Sequence, residues 1–319
     1  MAECDAIHTH NEEFLRKICW LLAKDGTTDI HITEGRSIWV RWNGELKEIP
    51  SLQVPEEGVN LITQRLLKLP TFDKVSCSCT WNNRRIRVRQ SRTVGRKQLF
   101  LRVLSDRVPE IHQLNYNTSQ TNILRSIADD TTPGLYLVAG PTGSGKSTLM
   151  ASVLQTMLDN LPIHICTIED PIEYMLYDNV GVASQREIPN DVIDFATGVR
   201  DVLREDPDVI MIGEIRDPDT ALHGLIASET GHKVIGTIHA GSCHDSIERF
   251  IGLLGRKENS NFYGRIAQVL RYVLYLPSKY KNTGNMKRPL DILTVNDAIK
   301  ANIREGHIHR IPTYSTSTL

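Results

Sequence analysis

Residues 140–148 read Gly140-Pro141-Thr142-Gly143-Ser144-Gly145-Lys146-Ser147-Thr148, and no other stretch constrains the fold of this chain as tightly. The spacing is G-x-x-x-x-G-K-S, the pattern of a phosphate-binding P-loop. Its context is also that of a P-loop. Leu135 to Ala139 is a short apolar run that reads as a buried strand, and Ser147 to Met157 continues at helical spacing. The glycines let the backbone curl so that successive N–H groups point at phosphate oxygens, and the helix N-terminus adds a favourable dipole. Lys146 is expected to reach the β- and γ-phosphates, and the Ser147 hydroxyl to sit on Mg²⁺. A Gly/Ser-rich turn with a chance lysine is the bland alternative, and the strand before and helix after count against it. ATP and Mg²⁺ are therefore the expected ligands.

Downstream of the loop, His164 to Ile168, Val209 to Ile212 and Val234 to Ile238 are further short buried runs separated by helical segments. That alternation is expected of a parallel α/β sheet, whose ligands gather beyond the C-terminal ends of the strands. Three polar clusters stand at the strand ends. Glu169-Asp170-Pro171-Ile172-Glu173 follows the first run, and a carboxylate there could hold a water in line with the γ-phosphate or accept its proton. Gly213-Glu214-Ile215-Arg216-Asp217 follows the second. A hydrophobic strand running into an acid is Walker B logic, with glycine in the usual aspartate place and Glu214 carrying the charge. Thr230-Gly231-His232 and Thr237-Ile238-His239 bracket the third, and either imidazole could donate to a phosphate oxygen. The bland alternatives are a helix cap at Glu169 or Asp170, a surface acid at Glu214 and ordinary strand-end histidines. Arg200 and Arg204, four apart, would share a helix face that is solvated as readily as catalytic.

The first third of the chain has a different character. Glu12 to Lys24 is amphipathic, Asp29 to Thr33 and Ser37 to Trp42 alternate, and Asn43-Gly44 is a hairpin signal. Val59 to Leu69 reads as a helix, and Arg85 to Arg89 with Gln98 to Leu104 as strands. Arg84, Arg85, Arg87, Arg89, Arg92, Arg96 and Lys97 crowd together, with Arg85, Arg87 and Arg89 on one strand face and Ile86 and Val88 on the other. A solvated outer face, arginines offered to phosphate across a subunit boundary, and nucleic-acid binding are the three readings. The stretch has little aromatic interleaving for base stacking. A net charge of −1, from 37 basic and 38 acidic side chains, also gives no strong nucleic-acid signal.

At 319 residues the chain has room for two domains. The expected division is a small α+β domain over 1–108, a linker over 109–118 and a nucleotide-binding α/β domain over 119–319. Six cysteines, including Cys77 and Cys79, are scattered without a C-x-x-C pair, so free thiols are expected. No apolar run approaches the ~18 residues of a membrane span, and the start lacks the features of a signal peptide. A cytoplasmic protein is expected.

Taken in order, the P-loop, Thr167 to Tyr174, Gly198 to Asp217 and Glu229 to His239 resemble the four motifs of the type II/IV secretion ATPase superfamily. The resemblance is near both the PilT-like pilus-retraction motors and the DotB- and TraJ-like ATPases of type IVB secretion and conjugation. It implies a RecA-like P-loop NTPase domain preceded by a small PAS-like domain matching Asp29 to Val103. It further implies that Glu169 is the catalytic base, Glu214 the Walker B glutamate, and His232 and His239 the His-box pair. Arg87 and Arg102 are the nearest candidates for nucleotide-contacting arginines. A homo-hexameric ring is implied, peripheral to the membrane at the cytoplasmic face of the inner membrane, where it would drive a pilus or secretion platform protein. Ala298 to Glu305 is similar to the C-terminal motif of retraction motors, whereas Gln185 to Arg200 looks more like the DotB and TraJ type. The zinc-binding tetracysteine insertion of assembly-type pilus ATPases is absent. A nucleic-acid-stimulated translocase and a nucleotide-gated assembly factor without sustained turnover are the alternatives from other classes.

Overall fold

The computed structural model describes residues 2–69, 75–82, 84–104, 107–255, 261–277 and 287–311. It divides into two units, Met1–Arg107 and Val108–Leu319. The short Ser/Thr tail noted in the sequence lies outside the described residues.

The first unit is built on strand-period alternation. It runs α1 (Ala2–Ala23), β1 (Thr27–Thr33), β2 (Ser37–Trp42), β3 (Glu45–Gln53), α2 (Gly58–Leu61), β4 (Val75–Trp81), β5 (Arg84–Thr93) and β6 (Arg96–Val103). The strands form an antiparallel sheet in the order β3-β2-β1-β6-β5-β4. Asn43 and Gly44 both take positive φ (50° and 84°), as a two-residue hairpin turn with matching twist requires. Phe14, Leu15, Ile18, Leu21 and Leu22 of α1 pack in one apolar cluster with Ile30, Ile32, Val40, Val88 and Leu101. The opposite face carries Asp29, Arg87, Arg89 and Arg102 together with His31, Trp39 and Phe100.

Two local expectations are corrected here. The helix read over 59–69 stops at Leu61 and passes into a π-turn over Ile62–Leu66, where the Thr63 hydroxyl donates to Val59 O at 2.8 Å. Strand β4 was not read in the sequence, because its alternation is between small polar residues and cysteines. Cys77 and Cys79 pair with Val88 and Ile86 and pack, half-buried, against the apolar cluster. Their i, i+2 spacing is that of a strand face.

The second unit begins with a 3₁₀ turn at Ile111–Leu114 and α3 (Thr118–Ala128). Asn117 caps α3: its Oδ1 accepts from Gln120 N at 2.8 Å, while Gln120 Oε1 accepts from Asn117 N at 3.0 Å. Then follow β7 (Gly134–Ala139), α4 (Lys146–Asn160), β8 (His164–Glu169), β9 (Val182–Glu187), α5 (Phe195–Val202), β10 (Val209–Ile212), α6 (Pro218–Glu229), β11 (Lys233–Ile238), α7 (Cys243–Leu253), α8 (Asn261–Val269), β12 (Leu270–Tyr275), β13 (Asp291–Thr294) and α9 (Asp297–Arg304). The sheet order is β13-β12-β7-β11-β10-β8-β9, parallel throughout except for β13 against β12.

The apolar runs are continuous because both faces of this sheet are buried. Leu135, Leu137 and Ala139 of β7 enter one core with residues of α5 to α9, whereas Tyr136 and Val138 enter a second core with α3 and α4. Residues 210 and 212 alternate with 209 and 211 in the same way. The result is a three-layer α/β unit. Its strands β7, β11, β10 and β8 end side by side, and the polar clusters follow those ends.

Candidate functional site

The P-loop leaves β7 through three glycines with positive φ: Gly140 (147°), Gly143 (76°) and Gly145 (96°). Side chains would also collide there. A Cβ on Gly140 would lie 2.5 Å from Leu276 O, and one on Gly145 would fall on the Arg288 guanidinium. Gly145 is the N-cap of α4, so the loop delivers its N–H groups at a helix start. Lys146 Nζ donates to Gly140 O at 2.8 Å and Pro141 O at 3.1 Å. Burial pulls its ammonium below the ordinary lysine range, opposed by the charges of Glu214 and Glu173. Ser147 is half-buried beside it, and Thr148 Oγ1 lies 3.0 Å from the Tyr174 hydroxyl.

Glu169 ends β8 and is buried (8% exposed). Its Oε1 accepts from Thr167 Oγ1 at 2.8 Å and from Gln185 Nε2 at 3.1 Å. Desolvation pushes its carboxyl up to about 7, although both hydrogen bonds favour the ionised form. A carboxylate poised there is matched to proton transfer near neutral pH. Gln185 also donates to Tyr174 O at 2.9 Å, so β9 orients both Glu169 and the loop that follows it. Glu187, nearly inaccessible, accepts from Ile172 N and Asn190 Nδ2 and holds the same loop from below.

Glu214 follows Gly213, the first residue past β10. Its carboxylate faces His239 Nε2 at 3.4 Å and, more distantly, Arg216 Nη1 at 3.9 Å. The turn that aims it is stitched to β11: Ile215 N donates to Thr237 O at 2.7 Å, and Thr237 Oγ1 donates to Gly213 O. The glycine at 213 has a steric reason. An added Cβ would lie 2.9 Å from Ile168 O and 3.2 Å from Glu169 Cα, both backbone atoms that cannot swing away. Gly213→Ala should lower stability by about 1–3 kcal/mol. Because the clash falls on Glu169, turnover should drop with it. A thermal melt and a steady-state assay of the same preparation check both effects.

Lys146, Glu173, Glu214 and His239 are thus brought together at one edge of the sheet, with Glu169 beside them at the end of β8. His232 is not. It sits at the other end of β11, a strand length or roughly 20 Å away. Its Nδ1 lies 3.0 Å from Ala227 O and 3.2 Å from Thr230 Oγ1. Of the two imidazoles, it is His239 that stands with Glu214 and Lys146 within one chain. Arg200 and Arg204 stay exposed, bonded to Thr197 Oγ1 and Arg200 O. Glu173, Gln185 and Arg288 are the neighbours that sequence reading did not single out. Glu173 and Gln185 belonged to stretches already quoted, without a role of their own, whereas Arg288 carried no local signal.

In the first unit, Arg87 and Arg102 are direct cross-strand partners on β5 and β6. Arg87 is exposed, and Arg102 Nε donates to the buried Asp29 at 2.8 Å. The face also carries aromatics absent from the arginine-rich stretch itself. His31 pairs with Trp39 and Phe100, Arg89 pairs with Phe100, and the Arg102 guanidinium lies 5.7 Å from the Phe100 ring centroid. They come from β1, β2 and β6, which is why the local sequence read as poor in stacking groups. Among the described residues no group of three or more His, Cys, Asp or Glu is arranged to hold a metal ion.

Residues 10–281 match the family described as "Type II/IV secretion system protein". A curated relative, the Escherichia coli K12 protein YggR, is 36% identical over 67% of this chain and 64% of its own length, so the match spans less than two thirds of that relative. A crystal structure of the pilus retraction motor PilT with bound ADP superposes with a TM-score of 0.81 at 32% identity, covering 92% of this chain and 87% of that one. The ATPase DotB of Legionella pneumophila shares the fold, with a TM-score of 0.73 at 23% identity over 97% of this chain and 88% of that one.

Proposed function

We propose that this chain, which belongs to the type II/IV secretion system protein family, is a Mg²⁺-dependent ATP hydrolase. It works as a homo-hexameric ring motor for a type IV pilus or a type IV secretion machine. One observation carries the reading. Beside a P-loop with three positive-φ glycines, Glu214 stands with His239 while a buried Glu169 is poised near neutral pH. That is a constellation for hydrolysing a bound nucleoside triphosphate.

In this reading the loop N–H groups and Lys146 bind the phosphates, and Glu169 orients and deprotonates the attacking water. Glu214 and His239 respond to the γ-phosphate. The Ser147 hydroxyl and Glu214 carboxylate are hard oxygen donors suited to Mg²⁺. Mg²⁺ would supply neutralisation of phosphate charge. Arg87 and Arg102 complete the charge from a neighbouring copy, as guanidinium groups suit developing phosphate charge. Among the described residues no helix is long and apolar enough to cross a membrane. In keeping with the family resemblance, the motor is read as peripheral, engaging a platform protein at the cytoplasmic face of the inner membrane.

Two variants test the chemistry. Lys146→Ala should lose nucleotide affinity by at least about tenfold, and Glu214→Gln should bind ATP but turn over poorly. Normal hydrolysis by Glu214→Gln would overturn the assignment. In the native host, Glu214→Gln with excess pili and unchanged transfer marks a retraction motor. Abolished transfer without more pili marks the energiser of secretion or conjugation. The arginine–aromatic face favours one other reading, a nucleic-acid translocase. It predicts ATPase stimulation by single-stranded DNA with steep salt dependence.

A further inference from the structure

We infer that Arg288 is a positioning residue for the phosphate cradle, acting through the backbone of Ser144 and Gly145; the inference rests on the ATPase reading above. The Arg288 Nη2 donates to the Ser144 carbonyl. That oxygen and the Gly145 N–H belong to one peptide unit. In a planar trans peptide they point in opposite directions. Holding the carbonyl outward therefore turns the Gly145 N–H inward, toward the space the P-loop encloses.

The guanidinium is fixed from its other sides. Its Cζ lies 5.6 Å from the ring centroid of Tyr116, which is buried (3% exposed). Arg288 N donates to Asn115 O at 2.8 Å. Two residues on, Leu290 O accepts from the buried Gln120 at 2.6 Å. The segment 287–290 is thus strapped to the segment 115–120, and the arginine projects from that strap to the loop. The glycine at 145 makes room for it, since an ideal Cβ there would lie 1.7 Å from Nη2 and 2.8 Å from Cζ. Gly145 is required by its φ, and its missing side chain leaves the guanidinium its present place. A lysine could supply the charge, but not the planar guanidinium that lies over the Tyr116 ring while donating to the carbonyl.

A residue that aims a phosphate-binding N–H differs from one that braces a loop or touches the base. The test uses the full chain with ADP, competed by inorganic tripolyphosphate and by AMP. Arg288→Gln should weaken ADP and tripolyphosphate about ten- to a hundredfold, the worth of a charge-assisted hydrogen bond. AMP, which lacks the β-phosphate, should compete as before. KM for ATP should rise by a similar factor while kcat moves less than about threefold. Arg288→Lys should recover only part of the loss with a melting temperature near wild type, and it decides the matter if the glutamine variant fails to fold. Unchanged ADP affinity in both variants, or equal losses for ADP and AMP, overturns the inference. Wild-type protein that binds neither ADP nor ATP instead overturns the ATPase reading.

Discussion

Replacing Glu169 by glutamine lowers kcat by about 10²- to 10⁴-fold and leaves ATP affinity near wild type. The geometry separates the two quantities. Glu169 accepts from Thr167, Gln185 and the Glu173 backbone, not from the P-loop, and the glutamine carbonyl can still accept from Thr167 and Gln185. What glutamine cannot do is take a proton. Isothermal titration with ATP and steady-state turnover on the same protein read binding and chemistry apart. Lost affinity with retained turnover per bound ATP would show that Glu169 is a binding group.

The same residue predicts two pH dependences of opposite sign. Burial raises its carboxyl from the ordinary value to about 7. Activity that needs the ionised base should therefore climb as pH rises through about 7. Stability should do the reverse. A carboxyl whose native pKa is raised binds more protons folded than unfolded between about 4.5 and 7. Stability is therefore greatest below that window and declines as pH rises through it, then levels off. The Glu169→Gln profiles of both quantities should be flatter, and they control for titration of the nucleotide itself.

Much of this site could be read from the residues, and what could not has a common cause. Gly140 to Thr148, Glu169 and Glu214 follow strands that are apolar on both faces, so their positions came from local pattern alone. Gln185 and Arg288 matter because β9 lies beside β8 and because 288 reaches back to Ser144 across more than a hundred residues. No local periodicity encodes that. The two histidines are a pair only by the family resemblance; they stand at opposite ends of β11, which keeps them apart within one chain. In the first unit, the hairpin at Asn43-Gly44 was legible from its turn chemistry. Strand β4 was not, since between Val75 and its last two residues it holds only serines and cysteines, which are not strong β-formers. The aromatic residues beside the arginines became visible only through the cross-strand register, which brings Phe100 opposite His31 and Arg89.

Lys233→Ala should cost the second unit about 3–5 kcal/mol, lowering its melting temperature by roughly 10 °C, while leaving the nucleotide site intact. Lys233 is fully buried at the start of β11. Its ammonium donates to Ile127 O, to Asp130 O at 3.0 Å and to Asp130 Oδ1 at 3.3 Å, and lies 4.6 Å from the Tyr136 ring centroid. Burial pulls its pKa down, against the pull of Asp130. The acceptors belong to the C-terminal end of α3, where a cation complements the helix dipole and unpaired carbonyls need donors. Alanine removes the donors and leaves a cavity beside Tyr136. Methionine separates the two losses. It fills most of the volume and spares the desolvation of a charge, but leaves the carbonyls of Ile127 and Asp130 short of a donor. Lys233→Met should therefore cost less, about 1–2 kcal/mol. Asp130→Asn should cost less again, because the Asp130 side chain is half-exposed and screened. The order Ala, Met, Asn in chemical denaturation distinguishes a helix cap from a buried ion pair. If the pair dominated, Asp130→Asn would be as damaging as Lys233→Ala, since it would strand a buried ammonium. Lys233 stands at the end of β11 opposite His239, so ATP affinity measured well below the melting temperature should not move in any of the three.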